Sequence, residues 1–147
     1  MFANLQLTID CAGPHVLAQW WAEALGWTVE PQDAEFIRSM IAQGHASDDD
    51  TTTHQGQLVW KEGAAIHPTD DLDPKTRRRI LFQQVPEAKT VKNRLHLDLR
   101  VGPDRTVEDE VARLVAAGGT ELHQGRQGPH TWTTMADPER NEFCVSG

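Results

Sequence analysis

Residues 5–13, LQLTIDCAG, and residues 95–103, LHLDLRVGP, are two versions of one pattern. An internal repeat of this kind restricts the fold more than any other feature, because each copy must build the same unit. Both copies alternate with period two, the mark of a half-buried strand. Leu5, Leu7 and Ile9 share one face of the first, and Leu95, Leu97, Leu99 and Val101 the matching face of the second. The opposite faces carry Gln6, Thr8 and Asp10 in one and His96, Asp98 and Arg100 in the other, so Gln6 aligns with His96.

Each strand leads into a helix. PHVLAQWWAEALGW (14–27) has a broad apolar stripe of Val16, Leu17, Trp20, Trp21, Ala24 and Leu25, with proline in the first turn and Gly26 as the stop. TVEDEVARLVAAGG (106–119) has Val107, Val111, Leu114 and Val115, acids early, and Gly118-Gly119 at its end. The units also close alike: RILFQQV (79–85) aligns with NEFCV (141–145), placing Phe82 on Phe143 and Gln83 on Cys144. Between these landmarks the pattern predicts strands at 26–30, 57–61, 120–124 and 130–136. A further helix is predicted at 33–43, where Phe36, Ile37, Met40 and Ile41 recur at helical spacing, followed by the polar loop GHASDDDTTTHQG. The expected class is α+β: two tandem βαβββ modules, one at about 1–87 with an insertion at about 32–55, the other at about 93–147, within one domain. The modules are expected to form a curved mixed sheet around a shared cleft, with the helices outside. Helix stripes cover the Leu/Ile faces, so the polar faces would line that cleft through Gln6, Thr8, Gln83, His96, Asp98, Glu142 and Cys144.

A chain of 147 residues, 38% hydrophobic and 24% charged, can bury a sizeable core. Its net charge of −8 argues against nucleic acid or an anionic membrane as partner. The basic run KTRRR (75–79) reads as a solvated loop, as does the group His45, Asp48, Asp49, Asp50 and His54, which could still serve as a lid. With no bilayer-length apolar run, no signal-peptide pattern and only Cys11 and Cys144, a reduced cytoplasmic protein is expected. Five tryptophans and no tyrosine are unusual for this length. Trp20 and Trp21 read as helix-to-sheet packing, whereas Trp60 and Trp132 lie on predicted strands and could stack on a planar ligand.

The stretches LTIDCAGP, AEALGW, ILFQQVPEAKTVKNRLHLDLRV and DPERNEFCV resemble the glyoxalase-like proteins common in actinobacteria. These belong to the vicinal oxygen chelate superfamily, with glyoxalase I, bleomycin-resistance proteins and extradiol dioxygenases. The resemblance spans essentially the whole chain and implies the paired-module fold. It further implies, for metal-dependent members, one divalent ion held at positions that here are Gln6, Gln83, His96 and Cys144. Gln6 and His96 fit the family pattern, Gln83 and Cys144 stand where acids are usual, and Arg140 replaces the glycine of the closing DPxGN motif.

Neutral amides are poor donors for a divalent ion, and the four positions hold no carboxylate to act as a base. No metal is therefore favoured, although zinc, nickel, manganese or iron could bind. His96 is read as a hydrogen-bonding group of the pocket and Cys144 as an inert, half-buried thiol. The expected function is small-molecule binding of the kind that sequesters a drug or natural product, with a degenerate metal site; the alternative is a metal-dependent lyase, isomerase or dioxygenase of the same superfamily. A homodimer is expected from the resemblance.

Overall fold

The computed structural model describes residues 5–147. They divide into two compact units, one ending at Ala88 and the other Lys89–Gly147, each built on a four-stranded mixed sheet. In the first unit β1 (Leu7–Cys11) runs into helix α1 (Pro14–Leu25) and strand β2 (Trp27–Val29). Pro14 occupies the first turn, and Gly26, at φ +66, donates its N–H to the carbonyls of Ala22 and Glu23 to end the helix. Helix α2 (Ala34–Ala42) follows, capped by the Asp33 carboxylate, which accepts from the N–H groups of Glu35 and Phe36. Next come β3 (Thr51–His54), β4 (Gln57–Trp60), β5 (Gly63–Pro68) and β6 (Ile80–Gln84).

The sheet order is β1-β6-β5-β2, with β1 and β6 parallel. Ile9, Phe82 and Ala64 form one cross-strand row, and Leu7, Ile80 and Ile66 the next. Helix α1 packs on β2, β5 and β6. Leu17, Trp20 and Trp21 are buried, the two indoles meeting edge to face at 5.1 Å, while Val16 is exposed. The helix-to-sheet role of both tryptophans is thus as expected.

Two predicted elements need correction. QLVWK is not a strand of the module sheet: β4 pairs only with β3, in a separate two-stranded hairpin turned by Gln55 and Gly56, both at positive φ. The third strand of the module is β5, GAAIHP, whose five residues Ala64–Pro68 are all buried and so show no alternation. The segment read as a polar loop is therefore ordered. Ser47 and Asp50 close a capping box, His54 stacks on His15 at 5.2 Å, and α2 packs on β4 with Ile37 and Val59 buried. The basic run is not simply solvated either. Arg79 grips Glu30 through two hydrogen bonds of 2.9 Å, and Arg77 joins the same carboxylate. Burial works against the charge of Glu30, but the guanidinium groups of Arg79 and Arg77 outweigh it and hold the carboxyl below its ordinary range.

In the second unit β7 (Leu97–Arg100) leads to α3 (Val107–Ala116), capped by the Thr106 hydroxyl, then β8 (Thr120–Gln127), β9 (His130–Ala136) and β10 (Glu142–Ser146). The order is β7-β10-β9-β8, with β7 and β10 parallel. Leu97, Phe143 and Met135 align across the sheet beside Leu99, Val145 and Thr133, and α3 packs on β8, β9 and β10 with Val111 and Leu114 buried. The molecule is α+β, as the sequence implies. No helix among the described residues is long and apolar enough to cross a membrane.

Candidate functional site

The pleat decides what the second unit presents. Phe143 and Val145 face the core, so Glu142 and Cys144 point to the other side. On that side Cys144 stands opposite Asp98 on β7 and Thr134 on β9. His96, immediately before β7, lies two residues from Asp98 and so shares its face; its Nε2 is 3.4 Å from the Asp98 carboxylate. The ligand atoms of His96, Asp98 and Cys144 all lie within 4.8 Å of one another, the one such group of three among the described residues. The Thr134 hydroxyl is 3.8 Å from the Cys144 sulfur. Burial raises the thiol's pKa, and the Asp98 carboxylate, as neighbouring charge and hydrogen-bond acceptor, adds to the rise against the opposing effects of Thr134 and Lys92. These surroundings favour the protonated thiol of Cys144 over an activated thiolate.

Trp132 belongs to the same face, two residues from Thr134 on β9. Its indole lies across the backbone of Gly125 on β8, so closely that a Cβ there would stand 2.2 Å from the indole Cε2. Glycine is required at this position because the ring takes the space a side chain would fill. A flat aromatic surface therefore lies on the sheet face that carries the His96–Asp98–Cys144 cluster.

Glu142 shares the face but is engaged elsewhere. Its carboxylate accepts from the Asn93 N–H at 3.0 Å and from the Lys89 ammonium at 3.0 Å. Burial raises its pKa, yet these donors prevail and hold the carboxyl at about 2. So acidic a group is a weak proton acceptor near neutrality, with its oxygens already committed. Before it runs the turn DPERN, where buried Asp137 accepts from the N–H groups of Glu139 and Asn141, both at 2.9 Å, and Arg140 takes φ +72.

In the first unit Thr8 and Gln83 are exposed on the polar side of their sheet, Gln83 opposite Asp10. Gln6, just before β1, accepts a 2.7 Å hydrogen bond from Arg79, just before β6. Gln83, on β6, lies four positions beyond Arg79, on the order of 13 Å at strand rise. In the second unit Cys144 stands opposite Asp98, only two positions on from His96. The same stagger applied to Gln6 leads to Thr8, whose partner is Leu81. The two sequence alignments, Gln6 with His96 and Gln83 with Cys144, are thus out of step by two residues, and an apolar side chain occupies the place that matches Cys144. Trp60 lies outside this sheet, in the β3–β4 hairpin.

Sequence reading found His96, Asp98, Cys144 and Trp132, but not Thr134, Gly125, Lys89 or Asn93. Thr134 was legible from its period-two spacing with Trp132; the others depend on cross-strand register and a loop contact.

The sequence matches the model of the glyoxalase-like domain over residues 6–146. No curated protein matches it. Among solved structures, it is similar to a glyoxalase/bleomycin resistance protein/dioxygenase family enzyme from Burkholderia phytofirmans, at 14% identity over 95% of this chain and 94% of that one, with a TM-score of 0.57. It is also similar to a mutant of the fosfomycin resistance protein FosX from Listeria monocytogenes, complexed with Mn(II) and a dihydroxypropylphosphonic acid, at 8% identity over 99% and 90% of the two chains and a TM-score of 0.62. TioX from Micromonospora gives 12% identity over 99% and 98%, with a TM-score of 0.51. Repeat, topology and family match agree, and the chain belongs to the glyoxalase-like domain family.

Proposed function

We propose that this protein binds a small aromatic molecule, as a protein that sequesters a drug or natural product would, and that it does so without a metal ion. The observation that carries this reading is Trp132 laid flat over Gly125 beside the polar cluster of His96, Asp98 and Cys144. Stacking on the indole would supply apolar contact area, and the cluster would supply oriented donors and acceptors. The state of Glu142 and the apolar Leu81 support binding over lyase or isomerase chemistry, since neither provides a base or a ligand. We further propose a cytoplasmic homodimer, which light scattering would report as twice 16.4 kDa.

The second reading, a metal-dependent enzyme, is favoured by the His96–Asp98–Cys144 group itself. Imidazole, carboxylate and thiolate together suit zinc or another borderline divalent ion. The similar FosX structure contains Mn(II), although likeness at 8% identity speaks only for the fold. A bound ion would supply Lewis-acid polarisation of a substrate oxygen. To bind one, Cys144 must give up the proton that its surroundings favour, so affinity would rise with pH. Elemental analysis of protein purified without chelator separates the readings. Substoichiometric metal agrees with the binding protein; one equivalent of zinc, nickel, manganese or iron, lost in His96→Ala, overturns it.

A further inference from the structure

The first unit holds a cavity of about 450 Å³ lined by residues of α2, the segment before β3 and the end of β4. Its walls include Phe36 and Met40, one helical turn apart on α2, and Trp60 at the end of β4. Its lining also includes Asp50, Glu62 and His45, and no lysine or arginine. Phe36 is 53% exposed, so this lining residue stays open to solvent.

Trp60 is held by its backbone at both ends. Its N–H donates to Gln32 Oε1 at 2.7 Å, and its carbonyl is 2.8 Å from His15 Nε2. Gln32 in turn donates to the Gly63 carbonyl at 2.9 Å, fixing the connection into β5. Asp50 is equally set: the Ser47 N–H and hydroxyl hold its carboxylate, and these bonds, with a smaller effect of the Lys61 charge, lower its pKa. Among the described residues, the Glu62 carboxylate has no hydrogen-bond or ion-pair partner.

We infer that this cavity is a binding site for a small organic cation, an ammonium group carried on an apolar or aromatic body. Aromatic faces attract a cation through their quadrupole, most strongly tryptophan, and the sulfur and ring of Met40 and Phe36 suit the apolar part. Glu62 gives the site the opposite charge and is available to pair with the ligand because no protein group occupies it, whereas the Asp50 carboxylate is met by Ser47 and by the charge of Lys61. An anion of the same shape would meet the unpaired Glu62 carboxylate. All the site's lining residues lie in the first unit, and none belongs to the His96–Asp98–Cys144 group or is Trp132.

The test is calorimetric titration of the whole protein with benzyltrimethylammonium, with benzyl alcohol and benzoate as neutral and anionic counterparts. Saturable binding of the cation is expected, with affinity about tenfold above that of the alcohol and no binding of benzoate. Glu62→Gln, an exposed change that leaves the fold intact, should weaken the cation about tenfold while leaving the alcohol unchanged. Trp60→Phe should weaken it less than Trp60→Leu, and Trp132→Phe should not affect it. Equal affinity for cation and alcohol, or cation binding unmoved by Glu62→Gln, would overturn the assignment. So would the absence of saturable binding.

Discussion

Arg140 occupies a left-handed backbone position, φ +72, in the turn where the family resemblance places glycine. A side chain there crowds its own backbone, at a cost of about 1 kcal/mol. Arg140→Gly should therefore stabilise the protein by a few tenths to about 1 kcal/mol in denaturant titration, part of the gain being offset by the greater freedom of glycine in the unfolded chain. Glu142 offers a second test at this scale. Its folded pKa of about 2 lies below its ordinary 4.5, so its ion pair and hydrogen bond stabilise the protein fully above pH 4.5 and progressively less as pH falls toward 2. Glu142→Gln should lose about 1 kcal/mol at pH 7, after allowance for solvent screening, and should flatten the acid limb of the stability curve. The glutamate was conspicuous in the sequence, but its partners were not: Lys89 and Asn93 reach it from the segment before β7, where no periodicity announces a contact.

The contact between β8 and β9 is the element on which the binding face depends. Gly125→Val would drive a side chain into the Trp132 ring and should cost about 1–3 kcal/mol while displacing the indole. A shift in tryptophan emission with weakened ligand binding would show it. The elements themselves were largely legible, because β1, β7 and β10 each keep one face in the core and one out of it, and alternation follows. Strand β5 was not, since it is buried on both faces and built partly of alanine. The β3–β4 hairpin was masked by its polar threonines, although Gln55-Gly56 between two short alternating runs was the available signal. The stagger between parallel strands was the least legible quantity. Leucines at 5 and 95 and phenylalanines at 82 and 143 each invite alignment, yet both leucines prove exposed and lie outside the strands. Only the hydrogen-bonded register reveals the two-residue offset that brings Leu81, rather than Gln83, to the place matching Cys144.

The whole chain combines a family fold, a net charge of −8 and a cluster of potential ligands confined to one unit. That charge predicts no measurable affinity for duplex DNA at physiological salt, which a mobility-shift titration checks. The central claim is that recognition runs through the Trp132 face and needs no metal. Its most direct measurement is fluorescence titration of chelator-treated protein with a panel of aromatic natural products, in parallel with Trp132→Phe. The predicted result is a saturable change for at least one compound in the metal-free protein, abolished in the variant. Binding or turnover that arises only once zinc, nickel, manganese or iron is restored, and disappears in His96→Ala, would contradict it.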